Sequence, residues 1–126
     1  ISDGMDNHSS HSLDDSLKRA LAANVSVYSV DLIGTGSGNR PEELQGHAIM
    51  KQLAEKTGGR YLQTQGGTHL SEALEKVAEE LRSQYTVGYY SSNDKRDGKW
   101  RRIEVALPRP DASIHARAGY YAPKDK

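Results

Sequence analysis

Between residues 12 and 82 the apolar pattern switches from helical spacing to strand-like runs and back, and this alternation constrains the chain more than any other feature. Ser12 can cap a helix, and Asp14 and Asp15 suit the positive end of its dipole. Leu13, Leu17, Ala20 and Leu21 then share one face, and Asn24 is a residue that tolerates the left-handed conformation closing a helix. Residues 25–33 (Val-Ser-Val-Tyr-Ser-Val-Asp-Leu-Ile) are rich in β-branched side chains and bounded by turn formers, which predicts a strand. A second helix is expected over residues 46–56, with Ile49, Met50, Leu53 and Ala54 inward and Gly58-Gly59 as its stop. A short strand follows at residues 60–63. Thr68 can then cap a third helix that carries Leu70, Ala73, Leu74, Val77, Ala78 and Leu81 on one face. Strands and helices alternating through short loops imply parallel strands joined by right-handed crossovers.

The pattern changes after residue 84. Residues 85–90, 100–107 and 113–119 are strand-like runs with no helix between them, separated by turn chemistry at residues 93–98 and 108–111. Ile103, Val105 and Leu107 alternate with Arg102, Glu104 and Ala106, the mark of a half-buried antiparallel meander. The expected fold is therefore α/β, a partial Rossmann-like parallel sheet with helices over residues 1–84. A β-meander extension at residues 85–123 packs on it, and a short charged tail closes the chain at residues 124–126.

Composition narrows the functional classes. Seventeen basic residues balance 17 acidic ones, so no charge excess marks a nucleic-acid or anionic-membrane partner. No apolar run approaches the roughly 18 residues that span a bilayer. The absence of Cys removes disulfides, thiol catalysis and Cys-based zinc sites. Only 35% of residues are hydrophobic and there is no Phe, which is lean for a self-sufficient core.

Four groups of residues could carry chemistry. Ile1-Ser2-Asp3-Gly4 reads as the end of a buried strand entering a carboxylate-bearing loop, where open α/β sheets bind ligands. Asp3 could ligate a hard cation, which prefers oxygen donors, or could simply cap the turn. Asp6, Asn7, His8, His11, Asp14 and Asp15 form a polar cluster that could hold a transition metal for hydrolysis, although capping residues are expected at a helix start and no nucleophile–base pair accompanies them. Gly34-Thr35-Gly36-Ser37-Gly38 lacks the ending of a phosphate-binding loop and reads as a flexible linker. Tyr85, Tyr89, Tyr90, Tyr120 and Tyr121 concentrate in the meander, where neighbours in a strand point to opposite faces and packing is the expected role. His47, His69 and His115 are expected to be isolated on the surface.

Ile1-Ser2-Asp3-Gly4, the following helix, residues 25–33 and Leu53-Ala54-Glu55-Lys56-Thr57-Gly58-Gly59-Arg60-Tyr61 together resemble the second half of a von Willebrand factor type A (VWA) domain. Leu81-Arg82-Ser83-Gln84-Tyr85-Thr86-Val87-Gly88-Tyr89, Arg101-Arg102-Ile103-Glu104-Val105 and Ala116-Arg117-Ala118-Gly119-Tyr120-Tyr121-Ala122-Pro123 resemble the extension of a VWFA-related group common in acidobacterial genomes. The resemblance implies that Asp3 belongs to a metal-ion-dependent adhesion site holding Mg²⁺ or Mn²⁺ in the intact parent. It also implies that the remaining ligands, a D-x-S-x-S loop and a Thr, lie upstream of Ile1. It further implies a non-enzymatic module that binds a protein ligand at a secreted, periplasmic or cell-surface location. Two other readings stand beside it: a metal-independent fragment that self-associates through an open sheet edge, and a metal-dependent hydrolase built on the cluster at residues 3–11.

Overall fold

The computed structural model describes residues 11–32, 40–109 and 111–125. Its elements are α1 (Leu13–Ala22), β1 (Ser29–Leu32), α2 (Pro41–Thr57), β2 (Tyr61–Thr64), α3 (Thr68–Arg82), β3 (Trp100–Arg102) and β4 (Gly119–Tyr121). The fold class is mixed α/β. β1 and β2 form a parallel pair in the register Ser29↔Tyr61 to Leu32↔Thr64, and β3 and β4 form an antiparallel pair in the register Trp100↔Tyr121 to Arg102↔Gly119.

The start of α1 follows its sequence. The Asp15 amide donates to the Ser12 hydroxyl oxygen at 3.2 Å while the Ser12 amide donates to the Asp15 carboxylate at 3.2 Å, a reciprocal capping box. The Ser12 hydroxyl and amide hold the Asp15 carboxyl below its ordinary value. Leu17 and Leu21 are buried, and Asn24 takes the left-handed conformation at φ 54° just past the helix end.

α2 begins earlier than the sequence pattern predicts because Pro41 occupies its first turn, where a missing amide costs nothing, and Glu42 and Glu43 complement the dipole there. It ends at Gly58, whose φ of 82° suits a residue without a Cβ. The Gly59 amide returns to the Ala54 carbonyl at 3.0 Å. A Cβ on Gly59 would sit 2.0 Å from the Val27 carbonyl oxygen. The glycine pair thus stops the helix and lets the entry to β1 pass directly over the turn.

β1 is shorter than the run at residues 25–33 predicts. The Val25 amide closes onto the Ala20 carbonyl of α1 at 2.9 Å, and the Val27 amide goes to the Thr57 hydroxyl at 2.9 Å. Backbone groups committed to helix ends cannot join a ladder, so pairing starts where the Ser29 amide reaches the Arg60 carbonyl at 2.9 Å. Alternation in the paired strands puts Asp31, Tyr61 and Gln63 on one face, toward α2, and Val30 and Leu62 on the other. Leu62 and Ala73 of α3 line a common groove on that second face. Arg60 ties the start of β2 to α3 through Glu80 at 3.2 Å.

Of the three strand-like runs expected in the meander, residues 100–107 pair only over β3, and the run at 113–119 supplies only Gly119 to β4, which lies further along the chain than expected. Trp100 meets Tyr121 edge-on with ring centroids 5.0 Å apart, and the Lys18 ammonium of α1 lies 5.7 Å from the Tyr121 ring. The Arg117 guanidinium donates to the Asn24 side-chain oxygen at 2.9 Å, and the Ala118 amide donates to the Lys56 carbonyl at 3.2 Å. These contacts seat the β3–β4 pair against α1 and the end of α2. Residues 85–90 join no sheet among the described residues. Leu74 and Leu81 of α3, expected inward, are exposed.

Candidate functional site

Two features stand out: a polar cluster at the sheet and a bare segment at residues 85–90 after α3. The cluster gathers Asp31 from β1, His47 from α2, and Tyr61 and Gln63 from β2. Asp31 is buried in β1, with 9% of its surface exposed. The Tyr61 hydroxyl donates to the Asp31 carboxylate at 2.5 Å and accepts from the Gln63 side-chain amide at 3.0 Å. The His47 Nδ1 packs against the same Asp31 oxygen without the alignment of a hydrogen bond, and it is itself buried. Burial first, then the hydrogen bond and charge of Asp31, push the Tyr61 hydroxyl up to about 12. At neutral pH Tyr61 is therefore a proton donor that holds the carboxylate, not a nucleophile. The arrangement ties one helix to both parallel strands through a single carboxylate.

The second feature is residues 85–90, Tyr-Thr-Val-Gly-Tyr-Tyr. Tyr85 is 93% exposed, Val87 80% and Tyr90 104%. The segment is held near both ends. The Gln84 side-chain amide donates to the Tyr28 hydroxyl at 3.0 Å, and the Tyr89 hydroxyl lies beside Tyr120. Partial burial, then its contact with Tyr120, raises Tyr89 above the ordinary tyrosine value. Beyond it, the Ser91 hydroxyl accepts from the Asn93 amide at 3.2 Å and the Asn93 side chain accepts from the Lys95 amide at 3.2 Å, so a tight turn closes the extended stretch. A β-prone backbone with exposed side chains and no ladder partner is free to accept one.

The residues singled out from sequence distribute unevenly. Asp3, Asp6, Asn7 and His8 lie outside the described residues, as does the glycine-rich stretch at residues 34–38. His11 is exposed ahead of α1. Asp15 is taken up by the capping box, and Asp14 pairs with Lys18 at 2.5 Å on the helix surface. Among the described residues no three His, Asp or Glu side chains converge as a metal-ligand group. The Tyr residues of the meander do not share a packing role: Tyr85 and Tyr90 are bare, whereas Tyr121 packs on Trp100. His69 faces Glu72 at 3.6 Å, and the Ser113 hydroxyl lies 3.3 Å from the His115 ring.

His47 corrects the expectation of an isolated surface residue, because α2 lays it against Asp31. A signal for this contact was present in the sequence: Asp31 is a lone carboxylate inside an apolar strand run, and such a group requires a polar partner. Comparison with protein-family models, with curated proteins and with solved structures returns no match.

Proposed function

We propose that this chain is a non-enzymatic protein-binding module that docks a partner along the extended segment at residues 85–90. The observation that carries the reading is an uncharged, aromatic and β-branched stretch whose side chains stand in solvent while its backbone joins no sheet among the described residues. Strand addition is the recognition mode such a segment offers. Main-chain hydrogen bonds supply affinity, and alternate side chains supply specificity.

The parallel β1–β2 pair, the Thr57-Gly58-Gly59 stop and the β3–β4 extension support the resemblance to a VWA-type module with Rossmann-like parentage. On that resemblance Asp3 contributes to a Mg²⁺ or Mn²⁺ site, and partner binding there depends on divalent metal. The location proposed with it is secreted, periplasmic or cell-surface.

Limited digestion of the dilute chain with chymotrypsin tests the docking segment. Cleavage after Tyr85, Tyr89 or Tyr90 is expected before cleavage at any other site. Resistance of these bonds in the dilute chain would mean that the segment is already covered, and the reading would fall.

A further inference from the structure

We draw no further inference here: the strongest candidate, the bare surface patch of Tyr85, Val87 and Tyr90 in the segment after α3, belongs to the docking reading above, and nothing in the structure shows what covers it.

Discussion

At the Thr57 hydroxyl, donation is shared between the Leu53 carbonyl at 2.8 Å and the Ala54 carbonyl at 3.1 Å, while the same oxygen accepts the Val27 amide. One side chain, 3% exposed, therefore closes the end of α2 and satisfies the approach to β1. Thr57→Val keeps the shape but strands the Val27 amide. The expected cost is about 1–3 kcal/mol, read as a lower urea midpoint, with Thr57→Ser close to the parent. Tyr61 gives a pH prediction of definite sign. Its hydroxyl is pushed from an ordinary 10.0 to about 12, so the folded state favours the neutral phenol. Its contribution to stability is fully present below pH 10 and is lost as pH rises toward about 12. Absorbance titration of phenolate should show a late component that is lost in Tyr61→Phe, while the raised Tyr89 stays in both. His47 and Asp31 lie 16 positions apart and on different elements, so no local spacing announces their contact.

Elements whose ends are fixed by local chemistry were legible. The Ser12 cap, the left-handed Asn24 and the Gly58 stop each act within a few residues, and the structure has all three. Strand length was not legible, because it depends on which amides distant groups claim: Thr57 claims that of Val27 and Ala20 that of Val25. The run at residues 85–90 has strand composition, yet composition does not supply an edge to pair with. Gly59 shows the reverse case, a local residue type with a tertiary reason. Gly59→Ala would drive a methyl into the Val27 backbone at 2.0 Å, so the turn must shift. Destabilisation of about 1–3 kcal/mol is expected, seen as a lowered thermal midpoint, with the largest local change in amide spectra around Val27 and Ala54.

Among the described residues the molecule carries two small sheets and few deeply buried large side chains, with Leu17 and Leu21 the principal ones. Tyr85, Val87, Tyr90, Val105 and Leu107 remain outside any core. Mixed α/β character was readable from the alternation of periods, and the antiparallel pair from the run of strands after α3. Residues 85–90 were misread because their tyrosines were expected to pack, whereas the tie between Gln84 and Tyr28 and the turn at residues 91–95 carry the chain across the surface.

Hydrogen–deuterium exchange at single-residue resolution on the dilute chain tests the central claim most directly. The account predicts that amides 85–90 exchange in the dilute chain almost as fast as an unstructured peptide, while those of β1, β2 and α3 are protected. Protection of residues 85–90 equal to that of β2 in the dilute chain would contradict it.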